Sequence, residues 1–493
     1  MKKIYKRIFI SVICVIISIS GFFIYKSYEK YKNYKEDAVY LLNFLEDNYP
    51  YFQVKRKVFN YDFLSHKDEF IKKISKSKND NEFFKNVNQT MFCLQNGHSY
   101  IYRGGLPSYA PKEQLKKYDY WMNIQNQSIY LPDIKLKYVQ GKYIVIKSKN
   151  KDIPIDSFIT KINGKNINDY INSNKQTFLL FRDTKRNINY SIFDEYWKYD
   201  NSKDMVEVLC NGTKKEAQIN YNKFNDDLNT WYYSNPQRSG ENITADKINS
   251  KLAYLRIKSF HFKNPKEDKK KISDLFNSLN KYDNLIIDVR GNFGGHLENS
   301  YFLSSFLTDK YPKYYQCMRN TKFMNDSKIQ SSNYAARVTF LNKESVLKNN
   351  YNLDGFNVKD VKFNYQFLTS KKFKGSVYVL VDGQVYSATE NFIDKIKTLK
   401  NVTIVGTTTG GDGTGLISSP ISLPKSNLMI QIPVALTINE DGTVDEEVCI
   451  SPHIYVEQSI QDYSNYLKTN LKDISRSKYD TVYNKTLDLI KNK

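Results

Sequence analysis

Three short segments carry residue types that chemistry could use. Asp288–Gly295 (DVRGNFGG) closes an apolar run with a glycine-rich turn. Glycines there let backbone N–H groups converge, and such a nest can hold an anion or a developing oxyanion. Glycine equally serves a strand-to-helix turn for geometry alone, so both roles stay open. In VLVDGQVYSATENF, Ser387 stands where an apolar run gives way to a helix. A serine there faces free backbone donors, and the N–H of Ala388 is placed to meet an oxyanion formed at Ser387. Ser387-x-x-Glu390 is also a capping box, in which the hydroxyl merely satisfies a helix amide. The third segment, NEDGTVDEEVCISPHI, clusters Asp441, Asp445, Glu446 and Glu447, a pattern more often solvated surface than chemistry.

A hydrolytic serine needs a base within hydrogen-bond reach. The five histidines are at 66, 98, 261, 296 and 453. No pair has HExxH spacing, and the cysteines at 14, 93, 210, 317 and 449 form no CxxC pair, so no metal is expected. Neither GxGxxG nor GxxxxGK is present, which leaves nucleotide binding without support. His98, in LQNGHSYI, follows a glycine at the close of a helix and by itself reads as a capping or core residue. His296, directly after Gly295, is the competing base.

The elements that must position these residues fall into blocks. Residues 36–100 read as helices, with Val39, Leu42, Phe44 and Leu45 on one face and Phe83, Val87 and Met91 on another. A helical cap over 36–105 is expected. From 130 to 230 short β-rich runs (YIVIKS, SFITKING, MVEVLC, AQINYN) form a compact module whose stretch 168–200 is expected to be a helical insertion. Turn formers over 232–250 mark a linker and a boundary near 245. Beyond it, strands and helices alternate to 456, as in an α/β unit with buried strands. Residues 320–372 are polar and read as an irregular insertion, and 457–493 as a terminal helix or tail. The expected fold class is mixed α/β, multidomain.

The chain has 493 residues, too long for one core, since domains stop growing near roughly 250–300 residues. Its 74 Lys+Arg against 52 Asp+Glu leave +22, and 40% hydrophobic residues exclude disorder for the bulk. The basic excess admits nucleic acid, membrane or acidic polymers, but no RNP, zinc-finger or basic-helix motif is present, so nucleic acid is not an expected partner. Ile8–Tyr25 carries no charge, and at about 1.5 Å per residue it reaches ~27 Å, close to a bilayer core. Lys2, Lys3, Lys6 and Arg7 precede it. A single-pass signal-anchor over 1–35 with the remainder exported is expected, the alternative being secretion after cleavage near Ser18, Ser20 and Gly21.

Taken together, the segments resemble the C-terminal processing (tail-specific) peptidases, the S41 serine peptidases, and particularly the branch similar to tricorn core protease and the chlamydial secreted protease. NLIIDVRGNFGG resembles that family's RGNxGG segment, GQVYSATENF its GxxSASE turn, IVGTTTGGDGTG its VGxxTxGxG loop, and DEEVCISPHI its ExxGxxPD ending. LEDNYPYF and LQNGHSYI resemble its N-terminal cap ending in DGHT, and DIPIDSFITKINGKNINDYI resembles a PDZ phrase. The resemblance implies a protease core of the crotonase-like/ClpP type over 245–456, a PDZ-like module at 130–230, protein or peptide substrates and no cofactor.

Residue by residue, the resemblance makes Ser387 the nucleophile. In the Ser–Lys branch the base lies roughly 25 positions on, but position 412 is Asp412 and no lysine occurs between Lys400 and Lys425. The other branch implies His98 as base, Glu446 as the acid that orients it, and an oxyanion hole from Gly294, Gly295 and Ala388. Asn96 replaces the family's Asp, Glu447 and Cys449 stand where glycines are common, and His453 replaces the Asp after Pro452, which leaves Asp445 and Glu447 as alternative third members. A membrane-anchored extracytoplasmic serine endopeptidase is therefore expected, with anionic wall polymer or lipid as a further partner of the basic surface. The alternative is a peptide-binding or scaffolding homologue without turnover.

Overall fold

The computed structural model describes residues 2–492 apart from 194–196, 235–239, 311, 313, 326–336, 341–350, 363–371, 412–415, 418–419 and 440. Asp412 thus lies outside the described residues. At the centre is a six-stranded sheet in the order Ile243–Lys247, Leu252–Ile257, Asn284–Asp288, Ser376–Val381, Val402–Gly406, Ile454–Tyr455. All its pairings are parallel except that of the first strand. Ile243–Lys247 falls inside the stretch expected to be a linker. The inner strands are buried on both faces, which is why they read as continuous apolar runs. Helices Pro265–Ser278, Leu297–Ser304 and Ala388–Ile396 connect them, so the catalytic candidates sit at the carboxyl ends of adjacent strands.

A second, antiparallel sheet runs Arg337–Phe340, Phe356–Lys362, Tyr314–Arg319, Pro433–Asn439, Leu416–Ile417. Two of these strands come from 320–372, the segment expected to be irregular; in the second, buried Phe356 and Val358 alternate with half-buried Asn357, as suits a strand with one buried face. The helical cap packs on this sheet, with Leu41, Leu42, Leu45, Phe83, Val87 and Met91 buried in one cluster with Cys317, Val358 and Leu436.

The β module is an antiparallel sheet in the order Thr213–Ile219, Asp204–Cys210, Phe158–Ile162, Lys142–Ser148, Ile134–Val139. The insertion expected to be helical has one short helix, Ile167–Ser173, followed by a hairpin pairing Phe181–Asp183 with Ile188–Tyr190. Asn187, at φ 52°, supplies the left-handed residue of that turn. Phe178, Phe181 and Tyr190 share a buried cluster with Tyr386 and the partly buried Phe293, which docks the module against the core at the candidate site.

Helix Lys2–Asn48 runs unbroken from the apolar stretch 8–25 into the cap. Most side chains of that stretch lie outside the described residues, and among the described residues no helix is long and apolar enough to cross a membrane. The expected membrane helix therefore has no support from the fold.

The segment 457–493 is not a loose tail. Helix Thr481–Lys491 is joined to the core through Val482 and Tyr483, which pack on Leu252, Tyr254, Ile286 and Tyr378, and helix Ile460–Leu467 packs through Tyr463 on Val139 and Ile144 of the β module. Just before helix Thr481–Lys491, Asp480 receives two bonds from Arg290 (2.6 and 2.8 Å), which also chelates Asp288 (2.9 and 2.7 Å). Arg256 and Tyr254 each reach Asp288 at 2.9 Å. Burial alone would raise the Asp288 pKa, but Arg290 and Arg256 overcome it and hold the carboxyl well below its ordinary range.

A folded-state pKa below the unfolded one stabilises fully above about pH 4 and the contribution is lost as pH falls through the folded value. Arg290→Met is expected to cost about 3–5 kcal/mol at pH 7, because it strands buried carboxylates. Urea unfolding should show that difference shrinking on acidification below about pH 4; a difference independent of pH would contradict the assignment.

Candidate active site

Ser387 ends the turn after strand Ser376–Val381 and is the N-cap of helix Ala388–Ile396. Asp382 shapes that turn, its Oδ1 accepting the N–H groups of Gly291 and Gln384 at 3.0 Å each. Ser387 has φ 55° and ψ −128°, a conformation that costs a non-glycine residue ~1–3 kcal/mol and projects the side chain away from the strand. Its hydroxyl makes no capping bond, and Glu390 instead accepts from Thr409, so the capping-box alternative does not describe this serine.

His98 arrives from the other side of the site. Helix Asp80–Phe92 ends in a turn with Gln95 at φ 52°. The Gln95 amide donates to the carbonyls of Phe92, Lys175 and Phe178 (2.9 Å each) and its Oε1 accepts Leu180 N–H at 3.0 Å, fastening the loop to the β module. Beyond the loop, Tyr100–Ile101 pairs with Met429–Gln431. Between these fixed points His98 Nε2 lies 3.1 Å from Ser387 Oγ.

The acidic cluster separates by partner. Glu446, 8% exposed on the one-turn helix Asp445–Val448, accepts from Asn96 Nδ2 through Oε1 and lies 2.7 Å from Lys55 Nζ through Oε2. Asn96 Oδ1 accepts the N–H of His98 at 2.8 Å, so one amide side chain links the carboxylate to the histidine loop. An aspartate there could not donate to Glu446, which gives Asn96 a physical reason. Asp445 accepts from Asn439 at 2.8 Å, and Glu447 pairs with Lys57 and Tyr351. Cys449 has φ 50°, the region that favours glycine, and burial pushes its thiol well above the ordinary range.

The other candidates have different duties. His296 meets the His261 ring at a tilt of 32° with centroids 4.8 Å apart, and His453 Nδ1 accepts Ile404 N–H at 3.0 Å. Lys395, two turns below Ser387 on the same helix, bonds Asn391 and Ser300 and lies over the Tyr301 ring. Burial lowers its pKa far below the ordinary lysine range, but its bonds run into the core.

The glycine turn closes on the serine. A Cβ on Gly294 (φ 108°) would fall 2.8 Å from Ser387 Cβ, and one on Gly295 (φ 140°) would fall 2.2 Å from His261 N. Of the three expected oxyanion donors, Gly294 N–H is engaged by Asn292 Oδ1 at 2.9 Å. The amides of Gly295 and Ala388 have no acceptor among the described residues. Beside His98 opens a cleft of ≈ 590 Å³ walled by aromatic and aliphatic side chains, among them Phe92, Phe178, Phe181, Ile192, Phe293 and Tyr386.

Residues 251–456, the stretch that contains Ser387, Glu446 and the glycine turn, match the model of peptidase family S41. That stretch is similar to peptidase family S41. The match supports a serine-type peptidase. The solved structure of mature CPAF complexed with lactacystin is similar over 94% of this chain and 100% of its own, with TM-score 0.58 and 15% identity. Another of mature CPAF gives TM-score 0.59 and 15% identity over 89% of this chain and 96% of its own. At that identity the likeness is one of fold. No curated protein matches the sequence.

Sequence reasoning overlooked Lys55 and Tyr386. Lys55 did leave a signal: with Phe52 and Phe59 it occupies i, i+3, i+7 positions on the buried face of its helix, where a lysine is out of place unless paired. Tyr386 left none, because nothing in GQVYSATENF says that its ring turns toward a loop 289 residues earlier.

Proposed function

We propose that this serine-type peptidase is an S41 endopeptidase that cuts protein segments through a Ser387–His98–Glu446 triad and an acyl-enzyme, anchored to a membrane by its N-terminal helix with the catalytic part outside. The observation that carries the reading is the 3.1 Å approach of His98 Nε2 to Ser387 Oγ. It is also what a non-catalytic scaffold would have no need of. His98 takes the Oγ proton as Oγ attacks the peptide carbonyl, and the C–N bond then breaks as His98 returns that proton to the departing amine. Water attacks the resulting ester with His98 again as base, releasing the acid and free Ser387. The oxyanion is received by the N–H groups of Gly295 and Ala388, and Glu446, held by Lys55 and Asn96, stabilises the imidazolium. Gly294 contributes its missing side chain, which clears space beside Ser387.

In this reading the β module is PDZ-like and takes peptide by strand addition, which reads backbone more than side chain. The anchor is supported by the uncharged run Ile8–Tyr25 and by eight Lys+Arg in the first 35 residues, which also suit anionic lipid or wall polymer.

The test is labelling of the full chain with a fluorescent fluorophosphonate. Peptide mapping should place the adduct on Ser387, Ser387→Ala should abolish it, and the labelled band should sediment with membranes and become soluble when residues 1–35 are removed. A label that survives Ser387→Ala sinks the catalytic part; a full-length band in the soluble fraction sinks the anchor.

A further inference from the structure

We infer that Tyr386 is a positioning residue that sets the His98 imidazole against Ser387, an inference resting on the serine-peptidase reading of this site. Base and nucleophile are 289 residues apart and belong to different parts of the fold, the cap loop and the core. Something must fix the registry between them, because an error of about 1 Å in such a pair lowers rate by ~10²-fold.

Tyr386 directly precedes Ser387, and its side chain crosses to the cap loop. Its ring stacks on the His98 imidazole, with centroids 5.3 Å apart and planes at 28°. Its hydroxyl oxygen accepts the Gly97 N–H at 3.2 Å, so it holds the backbone of the residue before the base as well as the base itself. One side chain thereby ties the neighbour of the nucleophile to two consecutive residues of the histidine loop.

The ring is itself held on several sides. It is 9% exposed, and Phe181 of the β-module hairpin meets it at 72°. Gly97 and Gly410 form the walls of its slot: a Cβ on Gly97 would lie 3.0–3.1 Å from the ring and its hydroxyl, and one on Gly410 would lie 3.2 Å from Cδ2. The backbone at Tyr386 bridges to Gly411, and its N–H donates to Asn292 O at 3.3 Å. A ring so enclosed has little freedom to turn, and the imidazole stacked on it shares that constraint. Its π face also favours the imidazolium that forms when His98 takes the proton.

The second-order rate of fluorophosphonate inactivation reads the activation of Ser387 with no peptide to bind, so it isolates base positioning. In the full chain, Tyr386→Phe keeps the ring and loses the acceptor for Gly97; inactivation should stay within about 5-fold of the unsubstituted protein. Tyr386→Leu loses the ring as well, and the rate should fall by about 30-fold or more, with the thermal midpoint of both variants within a few degrees of the parent. Phenylalanine restoring what leucine loses is the signature of positioning by the ring. Leucine equal to phenylalanine, or leucine at the parent rate, would overturn the inference. If Tyr386→Leu does not fold, Gly97→Ala, which presses a methyl on the ring from the loop side, decides it: a rate about 10-fold down supports the role, and the parent rate refutes it. If the unsubstituted chain itself takes no label at Ser387, it is the peptidase mechanism that fails, not this inference.

Discussion

His98→Ala is expected to lower kcat/KM on a protein substrate by about 10⁵–10⁶-fold, because members of such a triad act as a unit and loss of the base leaves Ser387 protonated. The geometry makes the claim specific. Ser387 Oγ has His98 Nε2 at 3.1 Å, whereas Lys395 bonds Asn391 and Ser300, and His296 packs against His261. None of these can step in without rebuilding a helix or the glycine turn. His98 is only partly buried, so truncation should leave the thermal midpoint nearly unchanged and separate chemistry from folding. The check is hydrolysis of fluorescein-labelled casein beside His296→Ala as control. Retention of more than about a hundredth of the activity in His98→Ala, or a comparable loss in His296→Ala, would move the base elsewhere.

How much of this could be read in advance depended on whether the cause was local. The strands Leu252–Ile257, Asn284–Asp288 and Ser376–Val381 were legible because burial on both faces leaves an uninterrupted apolar run, and the cap helices because Phe83, Val87 and Met91 recur at helical spacing. The segment 320–372 was misread as irregular since its strand Phe356–Lys362 gains a partner from Tyr314–Arg319, outside the segment, and Arg337–Phe340 in turn pairs with Phe356–Lys362. The C-terminal segment read as a terminal helix or tail because it is polar and lysine-rich; what docks it is the face of Val482, Tyr483 and Thr486 together with one buried carboxylate, Asp480. At the site, Ser387 was visible as a serine between strand and helix, but cap and nucleophile remained indistinguishable until its positive φ and uncapped hydroxyl separated them. The bonds that link Asn96 and Lys55 to Glu446 span 350 and 391 positions and carry no local pattern at all.

Glu446→Gln should lower kcat/KM by about 10⁴-fold, the scale expected when the orienting acid of a triad loses its charge but keeps its shape. The same substitution acts on folding, and the two effects can be separated. Lys55 Nζ lies 2.7 Å from Glu446 Oε2 with its side chain 10% exposed, so a glutamine leaves a buried ammonium without its counter-charge. Loss of one partner of such a pair costs about 3–5 kcal/mol, whereas removing both charges together is close to neutral. Lys55→Met combined with Glu446→Gln should therefore recover most of the thermal stability lost in the single variant while activity stays down. A structural role for Glu446 predicts the opposite: activity returning with stability in the double variant. The neighbouring acids supply the remaining contrast. Glu447 is tied to Lys57 and Tyr351, and Asp445 to Asn439, so Glu447→Gln and Asp445→Asn should each cost less than about 10-fold in kcat/KM. If Glu447→Gln rather than Glu446→Gln brings the large loss, the third member is Glu447, and the link from Glu446 through Asn96 to the His98 loop serves only to hold the cap on the core.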